Sequence, residues 1–400
     1  MSEPPAGQDG GVLASPPPRR TRRLVFAVTG LALAVALAAA SITIASRQPP
    51  PRPAATVPGP AGQAPCSAAF SPDGTTLAVA GCRDSVSLWD IATRRQVATL
   101  TSPRCPLPGQ VIFSPDGRTL ALFGGHAVSL NLPRYHPATC LWDMATRRET
   151  TLTDPPLLTD TSALGAFSPG GTTLAVADNS GNIYLWNLAT RRVTATVPAS
   201  SYCAGPCPVT FSPDGTMLAV GGGFPRRAQP QVYLRDLAAR RWAGTLTEPG
   251  GTIETLAFGR NGILAVGADD DHVYLWDVAA RRLAGAIAPP IDRAAGNASI
   301  SKDGTQYPAA GTYDKSTVAA FSPDGTTLAI DASFGYGTYL YHATTRNQAA
   351  TLPYPYPPGQ YHFAAGLVFS PDGTMLAVDD IDPSHDSGHV YLWDLTRNQN

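Results

Sequence analysis

Phe70-Ser71-Pro72-Asp73-Gly74, followed within the same unit by Leu88-Trp89-Asp90, decides the fold, because the pair recurs along the whole chain. The first phrase returns intact at Phe113, Phe211, Phe321 and Phe369, and in worn form at Phe167 (Phe-Ser-Pro-Gly-Gly) and Phe258 (Phe-Gly-Arg-Asn-Gly). The second phrase returns as Trp142-Asp143, Trp186-Asn187, Arg235-Asp236, Trp276-Asp277, Tyr341-His342 and Trp393-Asp394. The spacings from Phe to Phe are 43, 54, 44, 47, 63 and 48 residues. Self-similarity at such a period marks a repeat architecture.

One unit can be read in detail. In Ser71-Pro72-Asp73-Gly74, proline presets φ, aspartate bonds back to nearby backbone and glycine accepts a positive φ, which together make a tight turn. The flanks Ser67–Phe70 and Leu77–Ala80 are apolar runs of strand length, and Val86–Trp89 alternates as a third strand. A turn at Ile91–Arg95 leads to a more polar fourth strand, Gln96–Leu100. Each unit is therefore expected to be a four-stranded antiparallel meander, strands a to d, with two apolar faces. One sheet cannot bury both faces alone, whereas sheets stacked in a closed ring bury them against neighbours.

On these motifs the chain resembles the WD-repeat β-propeller family, over about 340 of its 400 residues. The resemblance implies an all-β, seven-bladed propeller and a binding platform without catalysis. The chain departs from the family pattern in several places. No unit carries a Gly-His dipeptide before strand a, and the acid between strands b and c has no constant position, Asp84 and Asp270 or Asp271 being possible matches. Tyr341 and Arg235 stand where tryptophan is usual. Stability is thus expected to rest on the apolar strands, the Ser-Pro-Asp-Gly turns and the remaining tryptophans.

The last unit lacks a strand d, for the chain stops just after strand c at Thr396–Asn400. The text that follows strand c in unit 6, Ala349-Ala350-Thr351-Leu352-Pro353, reappears as Ala54-Ala55-Thr56-Val57-Pro58. Residues 52–58 are therefore expected to close blade 7 within a propeller domain spanning 52–400. Pro53 is compatible with an edge strand.

Leu24–Ser46 is 23 residues without a charge, about 34 Å as a helix against a hydrocarbon core of about 30 Å. Arginines 19, 20, 22 and 23 precede it, which places a disordered tail, 1–23, in the cytoplasm, a transmembrane helix over 24–46, a linker over 47–51 and the propeller outside the membrane. The alternative is a signal peptide cleaved near Ala38-Ala39-Ala40 and a secreted propeller. Either reading exports the domain, and six cysteines in an exported domain suggest disulfides. Cys66 with Cys82, Cys105 with Cys140 and Cys203 with Cys207 are the neighbouring pairs, among the 15 connectivities that six cysteines allow.

In such a meander the a–b and c–d turns share one face and the b–c and d–a loops the other. The short turns are uniform; the length variation lies in Phe123–Thr139, Gly221–Gln231, Asp379–His389, Ala288–Ser316 and the segment carrying Tyr354, Tyr356, Tyr361 and Phe363. The loop face is accordingly the expected partner-binding surface, with those four aromatics as candidates. The short-turn face carries Arg94-Arg95, Arg147-Arg148, Arg191-Arg192, Arg240-Arg241 and Arg281-Arg282. Because the closing strand starts only a few residues past the apolar segment, this face is expected to lie near the lipid. There each arginine would contribute ~1 kcal/mol against anionic headgroups, unless the turns are simply solvated.

Chemistry is sparse. Asp382, His385 and His389 are weak candidates for a metal site, and Asp269-Asp270-Asp271 reads as a turn. No nucleophile elbow, phosphate loop or kinase signature occurs, and Asn297-Ala298-Ser299 fits a glycosylation sequon. A formal charge of -1 does not favour nucleic acid. The expectation is a monomeric, membrane-anchored scaffold for an unidentified protein or peptide, with no cofactor. The alternative is an exported propeller enzyme or a small-ligand or metal binder acting at the loop-face mouth of the channel.

Overall fold

The computed structural model describes residues 51–60, 63–81, 85–101, 108–124, 139–152, 164–178, 181–198, 207–222, 230–247, 250–290, 317–332, 337–356, 363–382 and 387–398. The predicted tail and transmembrane segment lie outside these residues. Among the described residues no helix is long and apolar enough to cross a membrane.

The described residues form seven separate four-stranded antiparallel sheets. In blade 1 the strands are Pro65–Phe70, Thr76–Gly81, Ser85–Asp90 and Arg95–Thr101. Blade 3 comprises Leu164–Phe167, Thr173–Ala177, Asn182–Asn187 and Arg192–Pro198. Blade 4 comprises Val209–Phe211, Met217–Gly222, Gln231–Asp236 and Arg241–Thr247. Blades 2, 5 and 6 lie within 108–152, 253–287 and 317–353. Blade 7 takes Phe363–Phe369, Met375–Asp382 and Ser387–Asp394 from the end of the chain and its outer strand, Ala55–Pro58, from the beginning. The register is Ala55↔Leu392, Thr56↔Tyr391, Val57↔Val390 and Pro58↔His389. A short 3₁₀ turn, Leu395–Asn398, follows.

Burial follows from this stacking. Strand b is buried almost throughout, as a Leu-Ala-Val-Ala run demands when both of its faces meet a neighbouring sheet. Strand d is exposed along most of its length. The core is divided into seven apolar clusters, and each joins two consecutive blades. The cluster between blades 7 and 1 contains Val57 beside Ala68, Phe70, Val79 and Leu392, so the closing strand packs on blade 1 as well as pairing within blade 7.

The two repeated phrases have distinct physical roles. Ser71 Oγ donates to Asp73 Oδ1 at 2.5 Å and accepts from Thr76 N–H at 2.9 Å, while Asp73 also holds Thr75 N–H at 3.1 Å. The same clasp recurs at Ser114, Ser212, Ser322 and Ser370. The tryptophan of the second phrase packs into the preceding blade, and its aspartate clasps the c–d turn. Asp90 Oδ1 accepts from both Thr93 N–H and Thr93 Oγ1 at 2.7 Å, and Asp143 does the same with Thr146. The two turns are tied together by backbone bonds such as Ile91 N–H to the Thr75 carbonyl at 2.9 Å. Every blade has such a tie, so the short-turn face is rigid. The departures from the family pattern also register here: the buried indole N–H groups of Trp142 and Trp186 find no partner among the described residues.

Candidate functional site on the long-loop face

Two residues before the tryptophan position, strand c carries a tyrosine in blades 3 to 7: Tyr184, Tyr233, Tyr274, Tyr339 and Tyr391. This places an aromatic ring near the loop end of those five blades. A buried tyrosine needs a partner for its hydroxyl, and the blades supply it in different ways. Tyr184 donates to Asp178 Oδ2 at 3.2 Å, Tyr274 to Asp270 Oδ2 at 2.5 Å, and Tyr339 to the Pro290 carbonyl at 2.7 Å. Burial, aided by the charge of Asp178, pushes the Tyr184 phenol up to about 12. In blade 5 the three consecutive acids do form the b–c turn, with Asp271 at a φ of 69° where blade 3 has Gly181 at 75°.

The densest arrangement lies between blades 6 and 7. Tyr354 and Tyr356 come from the d–a connection after blade 6, in a Tyr-Pro-Tyr-Pro stretch. Tyr354 donates to Asp331 Oδ2 at 2.6 Å, and Thr338 Oγ1 donates to the same atom at 2.7 Å. Tyr356 donates to Asp380 Oδ2 at 3.0 Å and also shares a short hydrogen bond with Tyr391. Burial raises the Asp331 carboxyl to about 7 despite the lowering effect of those two hydroxyls, and the Asp380 charge adds to the rise. Burial likewise raises Tyr391 to about 12 and holds Tyr354 and Tyr356 far above the ordinary phenol range. Two carboxylates and three phenols thus brace one edge of the loop face, with Pro355 left exposed between its two anchored tyrosines.

A second set of bonds starts from strands a, the innermost strands of the ring, and reaches strand a or, at Asp379, strand b of the preceding blade. The backbone N–H two residues before the repeated Phe donates to the preceding blade: Ala68 to Asp379 Oδ2 at 2.7 Å, Val111 to Ser67 Oγ at 3.1 Å, and Gly165 to Gln110 Oε1 at 2.8 Å. Asp379 is fully buried, and burial pushes its carboxyl up to about 7.

The structure places the sequence candidates as follows. Tyr354 and Tyr356 are half-buried, with their hydroxyls committed inward. Tyr361 lies outside the described residues, and Phe363 opens strand a of blade 7. The acid-rich stretch of blade 7 was expected as a loop from Asp379 to His389, and this needs correction. The hairpin continues through Asp379↔Val390, Asp380↔His389 and Asp382↔Ser387, and one oxygen each of Asp379 and Asp380 accepts a hydrogen bond within the fold. Asp382 and His389 therefore lie on adjacent strands, His389 stacked on Tyr391 at 6.3 Å, while His385 falls outside the described residues. Among the described residues no group of three His, Cys, Asp or Glu side chains is placed to hold a metal ion. Cys66 sits at a bulge of strand a, beside the paired Pro65 and Gly81. None of Cys66, Cys140 and Cys207 is free; Cys82, Cys105 and Cys203 lie outside the described residues.

Seven four-stranded blades in a ring, each clasped at its short turns, define a β-propeller. The comparison with known families agrees: the WD40 family model (WD domain, G-beta repeat) matches residues 52–90, which with the seven-bladed arrangement supports a WD-repeat propeller. That match begins just ahead of the closing strand of blade 7 and ends with strand c of blade 1, so one sequence repeat straddles two blades. No curated protein matches the chain. Propellers of this family commonly serve as platforms for protein interaction.

Proposed function

We propose that this chain is a membrane-tethered, exported scaffold that holds another protein or peptide on its long-loop face and performs no catalysis. The observation that carries this reading is the contrast between the two faces. The short turns repeat one clasped geometry from blade to blade, whereas the loops differ in length and are braced from below by Tyr354, Tyr356, Asp331 and Asp380. A rigid scaffold with variable loops on one face is the usual arrangement for recognition. The test is a photo-crosslinking residue in place of exposed Pro355, in native membranes, with a control probe at Arg94 on the opposite face. A discrete adduct from position 355 and none from 94 is expected; no adduct, or equal labelling from both, would overturn the reading.

The tether rests on the uncharged run Leu24–Ser46 and the arginines before it. Alkaline carbonate should leave the full chain in the membrane pellet and release a chain lacking 24–46. Export would agree with pairing of Cys66 with Cys82, Cys105 with Cys140 and Cys203 with Cys207, which peptide mapping without reductant reads directly.

A further inference from the structure

Blade 4 departs from the repeat at one position of strand c, blade 3 departs at one position of its a–b turn, and the two departures meet at a single cavity. In blades 1, 2 and 7 the strand c tryptophan packs into the preceding blade beside a Leu and an Ala that face each other across strands c and d. Trp142 shares its cluster with Leu88 and Ala98, and Trp393 shares its own with Leu340 and Ala350. The corresponding pair in blade 3 is Leu185 and Ala195, and the residue due to cover it is Arg235. Leu185 and Ala195 instead line a cavity of about 350 Å³, together with Phe211, Arg235, Arg240 and Gly170.

Arg235 does not fill the place of an indole. Its guanidinium stacks over Trp242, 5.6 Å from the ring centroid, and its Nη2 donates to the Arg240 carbonyl at 2.9 Å. Trp242 is in turn held edge-on by Tyr233 at 5.9 Å. The charge balance of the wall has shifted in the same direction. Gly170 occupies the position of the turn aspartate found in the five intact copies, and among the described residues no Asp or Glu lines the cavity. Two cations, an apolar floor and several threonine hydroxyls therefore surround a space large enough for a small molecule.

We propose that this cavity binds a small organic acid: a flat apolar body about the size of an indole, set against Leu185, Ala195 and Phe211, with a carboxylate head on Arg235 and Arg240. A guanidinium presents paired N–H donors that match a carboxylate. The missing turn aspartate removes the repulsion that such a ligand would otherwise meet. This site is on the short-turn side of the blades and is independent of the loop-face reading.

Calorimetric titration of the full chain in detergent tests it, with indole-3-carboxylate, its neutral carboxamide and acetate as probes. Saturable binding of the carboxylate is expected, with the amide and acetate each weaker by roughly tenfold or more. Arg235→Trp puts the repeat's own side chain into the cavity, and Gly170→Asp restores the turn carboxylate at a position where a side chain meets nothing within 4 Å. Both variants return toward the repeat and should melt at or above the parent temperature while losing roughly tenfold or more in affinity. No saturable binding at millimolar probe, an amide equal to the acid, or undiminished binding by the two folded variants would each overturn the proposal.

Discussion

At the scale of single residues, the Trp-Asp phrase divides its labour: the ring fills an interface between blades, and the carboxylate closes the c–d turn. The residue after that clasp is less expected. Arg94, Arg147, Arg191, Arg240, Arg281 and Arg346 all adopt a positive φ, between 50° and 62°. A left-handed conformation costs a residue with a Cβ about 1–2 kcal/mol, part of which glycine would recover. Replacing Arg191 by Gly should therefore raise the unfolding free energy, by only about 0.5–1 kcal/mol because the freedom glycine gains in the unfolded chain offsets part of the relieved strain. Chemical denaturation reads this; a loss of stability would show that the Arg191 side chain makes a contact worth more than the strain. The arginine pairs were visible in the sequence as charge, but their backbone geometry was not. That geometry goes with a backbone bond that closes the turn whatever the side chain, as in Arg147 N–H to the Asp143 carbonyl at 2.7 Å and Arg346 N–H to the His342 carbonyl at 2.8 Å.

At the scale of elements, the closing strand is the most consequential piece of the fold, and it was legible. Ala-Ala-Thr-Val-Pro at 54–58 repeats the text of blade 6, and the segment pairs with strand c of blade 7 as that text does in blade 6. Val57 is 3% exposed and lies in the cluster between blades 7 and 1. Val57→Ala should cost about 1–3 kcal/mol as a cavity-forming change, and deletion of 52–58 should lower the melting temperature sharply. An unchanged transition after the deletion would mean that blade 7 is stable with three strands. The Tyr–Asp braces were much less legible. Aligning the units shows the strand c tyrosines, but their partners come from different places: Asp178 and Asp270 lie in b–c turns, whereas Pro290 lies in the d–a connection before blade 6. Tyr356 reaches Asp380 and Tyr391 from another connection altogether. Such pairings depend on the stacking of blades, which no local pattern encodes. The same cause extended the blade 7 hairpin beyond its expected end, because Asp379 and Asp380, which look like loop residues, accept hydrogen bonds from Ala68 of blade 1 and from Tyr356.

At the scale of the whole molecule, two populations of carboxylates respond oppositely to pH. The turn acids Asp73, Asp116, Asp214, Asp324 and Asp372 are held below their usual 3.8, chiefly by the Ser hydroxyl of each clasp. Asp90 and Asp143 are lowered too, by hydroxyl and backbone N–H bonds from Thr93 and Thr146. Their stabilisation is present above 3.8 and is lost as pH falls through the lower values they have when folded. Each contribution is small because these groups face solvent, but the clasp is repeated around the ring. The buried acids Asp331 and Asp379 have the opposite sign: burial raises both to about 7. The folded chain therefore holds protons that the unfolded chain releases, and the stabilisation fades as pH rises from near 3.8 to about 7. Stability should accordingly peak near the lower end of that window and decline toward neutrality. The double variant Asp331→Asn, Asp379→Asn keeps an acceptor oxygen for Tyr354, Thr338 and the Ala68 N–H while removing the ionisation. Its melting temperature should stay level across the window in which the parent declines, and both proteins should weaken together in stronger acid. A parent that melts at the same temperature from about pH 4 to 7 would show that the blade 6–7 brace and the blade 7–1 clamp admit enough water to ionise freely.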